Sequence, residues 1–322
     1  MKELLMAKGA KTLIDVCTQV KPGETVLIVT DMYKTDIAKA IAGTAMDRGA
    51  EAIVTVIQPR DRNGQEPPVP VAEAMKKADV VFTPVTNSIT HTHAVKNAAA
   101  EGTRLIVMTD FTEEMMIRGG LEANFEEIKP VCKKVADAFA NGNRIKLTTP
   151  AGTHLEMDIT GRRGNALYCL VEPGEFSTAP TVEANVSPLE GSANGKLVVN
   201  ASIPYIGIGV ITEPIIVDIA DGFITRIEGG SQADILRKDL ESQGDRSVFN
   251  IAELGVGLNP KCRLCGIMLE DEGVISTCHI GIGTNITLGG NTKTPVHYDL
   301  LVWEPTVEVD GKTVIEGPEV RI

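Results

Sequence analysis

Four short, almost wholly apolar runs punctuate the first third of the chain, and the segments between them carry apolar residues at helical spacing. The runs are Thr25-Val-Leu-Ile-Val-Thr30, residues 51–57, Asp79-Val-Val-Phe-Thr-Pro84 and Arg104-Leu-Ile-Val-Met108. The helical segments are residues 2–20, 36–48, 71–77 and 92–101, with a last helix at 125–141. A strand wetted on one side alternates apolar and polar residues, because successive side chains point to opposite faces. Strands without that alternation are covered on both faces, and strands alternating with helices are parallel strands joined by crossovers. This part of the chain is therefore expected to form a Rossmann-like parallel sheet flanked by helices. Its first strand runs into Thr30-Asp-Met-Tyr-Lys-Thr35 with no glycine fingerprint, and no phosphate-cradling P-loop occurs, so a dinucleotide cofactor is not expected.

Beyond residue 143 the texture changes. Lys146-Leu-Thr-Thr, His154-Leu-Glu-Met-Asp-Ile-Thr160 and residues 195–202 and 215–220 alternate in strand fashion between Gly, Pro and Asn turns, interrupted by one helix at 231–242. The expected architecture is two domains: an α/β parallel-sheet domain over 1–142, then a strand-rich antiparallel α+β domain over 143–322. The length, 322 residues, exceeds one ordinary core and agrees with that division.

Composition narrows the partners. A net charge of -12 argues against nucleic acid and anionic membrane surfaces, both of which require a basic face. No apolar run approaches the roughly 20 residues that span a bilayer. The opening Met-Lys-Glu-Leu-Leu-Met-Ala-Lys reads as an amphipathic helix start rather than a signal peptide, so the cytoplasm is the expected compartment. Six cysteines do not make a disulfide framework in a chain of this size. Cys17, Cys132 and Cys169 lie among apolar residues and read as small buried hydrophobes. Cys262-Arg-Leu-Cys265 and Cys278-His279 together offer three thiols and an imidazole, the residue types of a structural zinc site. Against it stand the single Cys-x-x-Cys and a competing use for His279.

That competing use comes from the last quarter of the chain. Glu253 sits in Ala-Glu-Leu-Gly-Val-Gly, His279 in Cys-His-Ile-Gly-Ile-Gly, and His297 and Asp299 in His-Tyr-Asp-Leu, although the whole chain has only five histidines. On an extended segment His-x-Asp turns both side chains to one face. With one more imidazole this becomes the two-histidine, one-carboxylate set of non-heme Fe(II) enzymes, which leaves positions open for substrate and oxidant. If Glu253 or Glu175 joins, the same set suits a hydrolytic site with one or two metals.

Each residue also has a plainer reading. His297 and Asp299 could be an exposed strand pair, Glu253 a turn brace, and Glu175 a solvated carboxylate in its Pro-Gly-Glu turn. The glycines around Glu253 favour close backbone approach to something. His91 and His93 follow the third strand, where ligands of open α/β sheets collect, yet a helix-capping role fits them as well. Arg162-Arg163 is either a bidentate clamp for a substrate carboxylate or a turn with two solvated cations. His154 reads as structural. Glu270-Asp271-Glu272 reads as a solvated turn, with Glu272 at most a distant ligand.

Taken in order, five segments resemble one superfamily. They are Glu172-Pro-Gly-Glu175-Phe-Ser-Thr-Ala-Pro180, Glu190-Gly-Ser-Ala-Asn-Gly195, Ala252-Glu253-Leu-Gly-Val-Gly257, Cys278-His279-Ile-Gly-Ile-Gly283 and His297-Tyr-Asp299. The superfamily unites the aminopeptidase T/S metallopeptidases with the NicX-like 2,5-dihydroxypyridine dioxygenases. Gln58-Pro-Arg60, Glu66-Pro-Pro68 and Thr90-His-Thr-His93 resemble the shorter, dioxygenase-type branch. The peptidase branch implies Glu175, Glu253, His279, His297 and Asp299 as ligands of a two-metal site, with a tyrosine soon after the first histidine. Here Gly281-Ile-Gly-Thr-Asn-Ile-Thr287 contains none. The dioxygenase branch implies iron on His279, His297 and Asp299 with Glu175 facing the substrate, and helper histidines that are absent from residues 178–194.

The expectation is a mononuclear Fe(II) ring-opening dioxygenase acting on a small hydroxylated aromatic or N-heterocycle. Its metal ligands would be His279, His297 and Asp299, its catalytic residues Glu175, Glu253 and His93, and its substrate contacts His91, Arg162 and Arg163. The alternative is an aminopeptidase-like hydrolase using one or two Zn, Mn or Co ions. A site between the two domains and a homo-oligomer complete the expectation.

Overall fold

The computed structural model describes residues 2–322, which cluster into two compact units. The first comprises the chain up to Glu127 together with Tyr168–Thr181; the second comprises Ile128–Leu167 and Val182–Ile322. Residue 142 falls inside the second unit.

The first unit holds a five-stranded sheet in the order Glu51–Ile57, Thr25–Asp31, Val80–Val85, Arg104–Thr109, Phe176–Thr178. Every pairing in it is parallel. Val80–Val85 and Arg104–Thr109 are buried along their whole length, as their unbroken apolar sequences require. The second apolar run behaves differently. Glu51–Ile57 is an edge strand, and Ile53, Val54 and Val56 are 44%, 42% and 55% exposed. The expectation that it is buried on both faces is corrected by its position: an outermost strand has a neighbour on one side only. The fifth strand comes from the later segment Tyr168–Thr181, where Leu105 pairs with Phe176.

The second unit is built from antiparallel sheets. An eight-stranded sheet runs from Phe223–Glu228 at one edge to Glu319–Val320 at the other, with His154–Asp158 and Arg144–Thr148 at its centre. A five-stranded sheet has the order His297–Trp303, Thr277–Gly283, Ile251–Gly257, Glu183–Val186, Gly164–Leu167, all antiparallel. The helix Phe125–Asn141 buries Cys132, Val135 and Phe139 completely. It lies close to the five-stranded sheet: the Cys132 thiol approaches the Leu167 and Glu183 carbonyls, and a Cβ on Gly164 would sit 1.9 Å from the Ala136 carbonyl oxygen. The fold is thus a parallel α/β unit combined with an antiparallel α+β unit, the class expected from the sequence. No helix among the described residues is long and apolar enough to cross a membrane.

Candidate metal centre

Alternation explains the motifs of the five-stranded sheet. Along Ile251–Gly257 and Thr277–Gly283 the even residues Leu254, Val256, Cys278, Ile280 and Ile282 are apolar and buried. The odd residues Glu253, Gly255, Gly257, His279, Gly281 and Gly283 therefore share the opposite face. Register then sets each large polar side chain across from a glycine. His279 pairs with Gly255, Glu253 with Gly281, and on the next strand Asp299 pairs with Gly281 and His297 with Gly283. These glycines make room for side chains. A Cβ on Gly255 would lie 2.0 Å from His279 Nε2, and one on Gly281 would lie 2.9 Å from His297 Cε1.

Two groups of three ligand atoms lie within 4.8 Å of one another: Glu183 with Glu253 and His279, and Glu253 with His297 and Asp299. All of these residues belong to the second unit. His279 and the His297–Asp299 pair, expected around one ion, are divided between the two groups, and Glu253 joins them. His297 Nε2 is 3.0 Å from Glu253 Oε2 and 3.4 Å from Asp299 Oδ1. His279 Nε2 is 3.6 Å from Glu183 Oε2 and 3.8 Å from Glu253 Oε1. His297 Nδ1 donates to the Thr284 carbonyl at 2.7 Å, because a carbonyl can only accept. In the neutral ring that bond puts the proton on Nδ1 and leaves Nε2 as the nitrogen that could hold a metal.

Glu183 was not among the residues expected at the site. It stands on the short strand Glu183–Val186, opposite Gly257, in a stretch (Thr-Val-Glu-Ala-Asn) with no glycine pattern to mark it. Tyr205 was also missed; it lies in the loop joining Ser202–Ile203 to Gly209–Val210. Its hydroxyl donates to Asp299 Oδ2 at 2.6 Å, with Glu272 Oε1 at 3.2 Å as a second acceptor. No tyrosine occurs in residues 281–287, and the tyrosine that reaches Asp299 and Glu272 comes from a distant segment. Glu272 is half-buried beside Tyr205 rather than part of a solvated turn.

The electrostatics describe a cluster short of positive charge. Burial pushes Glu183 up to about 7; the His279 charge opposes this and the Glu253 charge adds to it. Burial would raise Glu253 and Asp299 too, but the neighbouring imidazoles outweigh it and hold both below the usual carboxylate range. Burial disfavours charge on His279, yet Glu253 and Glu183 lift it to about 9, and His297 is raised still more clearly by Asp299 and Glu253. Desolvation and the Asp299 charge carry Glu272 and the Tyr205 hydroxyl well above their ordinary values. Two buried carboxylate oxygens, Glu183 Oε2 and Asp299 Oδ1, have no hydrogen-bond partner, and neither has His279 Nδ1. Buried polar atoms are normally paired, so oxygens left open toward imidazole nitrogens fit a cation between them.

The remaining expected residues have other surroundings. Glu175 lies in the first unit and is exposed; its carboxylate accepts from the Glu172 N–H at 3.1 Å, closing the Pro-Gly turn. His91 and His93 are exposed in the same unit. His93 begins the helix His93–Ala100, where its N–H donates to Glu66 at 2.6 Å and Thr92 serves as N-cap. Arg162 pairs with Glu190 and donates to the Gly289 carbonyl at 2.6 Å, while Arg163 donates to the Thr287 carbonyl at 2.5 Å. The structure thus gives this pair an internal task, holding the loop after Thr284. The three-thiol zinc grouping does not form: among the described residues no ligand group contains a cysteine. Cys278 and His279 are neighbours on a strand and so face opposite sides.

The second unit carries buried carboxylates and imidazoles on one sheet face, and the family that the chain matches is one of enzymes. The chain belongs to the NicX family of 2,5-dihydroxypyridine 5,6-dioxygenases, whose pattern it matches over residues 6–321. It is 30% identical over 161 residues to the 2,5-dihydroxypyridine 5,6-dioxygenase of Pseudomonas putida, a match covering 46% of this chain and 45% of that enzyme. The aligned part is less than half the length of either protein. The solved structure of the Pseudomonas putida 2,5-dihydroxypyridine dioxygenase is similar with a TM-score of 0.84 at 20% identity, covering 99% of this chain and 97% of that one. AmpT from Thermus thermophilus is similar with a TM-score of 0.71 at 16% identity over 100% of both chains. At such identities these two likenesses concern the fold alone.

Proposed function

We propose that the protein is a metal-dependent dioxygenase that opens the ring of a small hydroxylated aromatic or N-heterocycle, with Fe(II) as its metal. The observation that carries this reading is the Glu253–His297–Asp299 group, whose three ligand atoms converge within 4.8 Å in a chain of the dioxygenase family. Glu253, His297 and Asp299 would hold the ion, with His279 and Glu183 beside it. When bound, Fe(II) would supply open coordination positions and the one-electron chemistry that lets O2 react with an aromatic ring.

The protein's own groups do the rest. The Thr284 carbonyl keeps the His297 imidazole oriented. Glu253, His279 and Asp299 are 4%, 1% and 3% exposed, which keeps bulk water from these ligands. Glu175 is the base that the resemblance implies, and His91 and His93 its companions; Glu175→Gln and Glu183→Gln compared side by side show which carboxylate the reaction needs.

One observation favours a second reading. Glu253 belongs to both ligand groups, as a carboxylate shared by two ions does in two-metal hydrolases. The test is anaerobic reconstitution of the metal-free protein with Fe(II) or Zn(II), followed by O2 uptake and amide hydrolysis on a panel of hydroxypyridines, dihydroxybenzenes and aminoacyl amides. O2 consumption in step with ring loss, at one iron per chain, is the expected result. Turnover without O2 at two zinc ions per chain overturns it in favour of the hydrolase. Self-association remains part of the proposal and is supported by the apolar edge strand Glu51–Ile57.

A further inference from the structure

The two outer carboxylates of the centre, Asp299 and Glu183, share an arrangement. Each has one oxygen engaged by a neutral side-chain donor, and its other oxygen is buried, without a hydrogen-bond partner and turned toward an imidazole. At Asp299 the donor is Tyr205, 2.6 Å from Oδ2, while Oδ1 stands 3.4 Å from His297 Nε2. At Glu183 the donor is Asn185, whose amide reaches Oε1 at 2.8 Å, while Oε2 stands 3.6 Å from His279 Nε2. We propose that Tyr205 and Asn185 are positioning residues of the metal centre, each pinning one carboxylate oxygen so that the other faces the ion.

The surrounding structure is built to hold both donors. Asn185 and Glu183 are two residues apart on one strand and share a face. The Asn185 amide is itself oriented by Asn165, which donates to its oxygen at 2.8 Å from the register-paired position on the neighbouring strand. Tyr205 sits in a hairpin loop fastened to the ligand strand by the Ala201 N–H, which donates to the Leu301 carbonyl at 3.1 Å. Its ring packs at 5.1 Å from that of Tyr298, the residue between His297 and Asp299. A hydroxyl has one hydrogen, and Asp299 is the nearer of its two acceptors. Both donors are uncharged, so they restrain the carboxylates without supplying a positive charge that would compete with a cation. An unrestrained carboxylate would turn to offer either oxygen or both, and ordering it would then fall on the binding step.

This inference rests on the cluster binding a metal, and the experiment separates the two claims. Co(II) serves as probe on the full-length, metal-stripped protein. Its dissociation constant is measured by competition with a chromophoric chelator, and its visible d–d absorption reports the ligand arrangement. Tyr205→Phe removes one oxygen and keeps the ring; Asn185→Ser is the second variant and acts on the other carboxylate. The expected result is a dissociation constant raised roughly 10- to 100-fold in each, the range for loss of a ligand's hydrogen-bond partner, with a shifted d–d band. Unchanged constants and spectra in both variants, with normal uptake by the unaltered protein, overturn the proposal and leave the metal reading standing. A change in one variant alone supports the role of that residue and overturns it for the other. No uptake by the unaltered protein overturns the metal reading and this inference together.

Discussion

Gly255→Ala puts the packing of the centre to a direct test. Gly255 lies directly across from His279 in the strand register, on the ligand face of the sheet. Its φ lies outside the left-handed region, so alanine meets no backbone penalty there, and the whole effect is steric. A methyl carbon at this position would sit 2.0 Å from His279 Nε2 and 2.3 Å from Cε1. Ordinary contact needs about 3.5 Å, so the ring must withdraw by roughly 1.5 Å. His279 is 1% exposed, so the ring has to shift within the interior. Overpacking of this kind costs about 1–3 kcal/mol. At roughly 2–4 °C per kcal/mol for a unit of this size, the midpoint of thermal unfolding should fall by about 2–12 °C. Ligand distances tolerate only ~0.2 Å, so the Glu183–Glu253–His279 group loses its imidazole while the Glu253–His297–Asp299 group keeps its own. Calorimetry and metal analysis of the variant check both parts. Gly43→Ala is the control: it lies in the helix Thr35–Asp47, and a Cβ there meets nothing within 4 Å, so alanine should raise stability by up to ~1 kcal/mol. An unchanged midpoint of unfolding in Gly255→Ala would refute the claim that this glycine exists to seat the histidine, whereas metal content at one ion per chain should hold, because the Glu253–His297–Asp299 group is untouched.

His297→Ala should lose most bound metal by elemental analysis, and full retention rules out its ligand role. Arg162→Ala should lower stability by about 1–3 kcal/mol, through loss of a charge-assisted pair and a carbonyl bond, with little change in substrate KM; a large KM effect instead restores the substrate clamp. Glu190 is held at about 2: burial would raise it, but hydrogen bonds from the Asn291 N–H and the Asn285 amide prevail, with Arg162 adding to them. Its folded value lies below the unfolded value of about 4.3, so its stabilisation is present above that pH and is lost as pH falls toward 2. Denaturation at pH 7 and pH 2.5 should therefore show a gap between the unaltered protein and Glu190→Gln that narrows to roughly a quarter in acid; a constant gap contradicts this. Val56→Lys on the exposed edge strand should shift sedimentation toward smaller species, and an unchanged profile removes that edge from self-association.

Much of this architecture was legible in the chain because it rests on local periodicity. Unbroken apolar runs between helical segments announced the parallel sheet, and glycines alternating with Glu253 and His279 announced a crowded sheet face. His297 and Asp299 were visible for the same reason, since period-two spacing alone turns both side chains one way. What sequence could not supply was pairing between distant strands. Glu183 is an ordinary-looking glutamate until register sets it across from Gly257, and Tyr205 is a loop tyrosine until its hairpin is fastened beside the ligand strand. The division of the candidate ligands into two groups sharing Glu253 is likewise a matter of side-chain positions across four strands. Arg162 and Arg163 read equally well as clamp or turn, and only the approach of the 287–289 carbonyls engaged them. Residues 51–57 carry the apolar signature of a central strand, yet sheet order put them at an edge. Periodicity is a property of neighbours along the chain, whereas register and sheet order arise from contacts between segments far apart in it, and those only the folded protein decides.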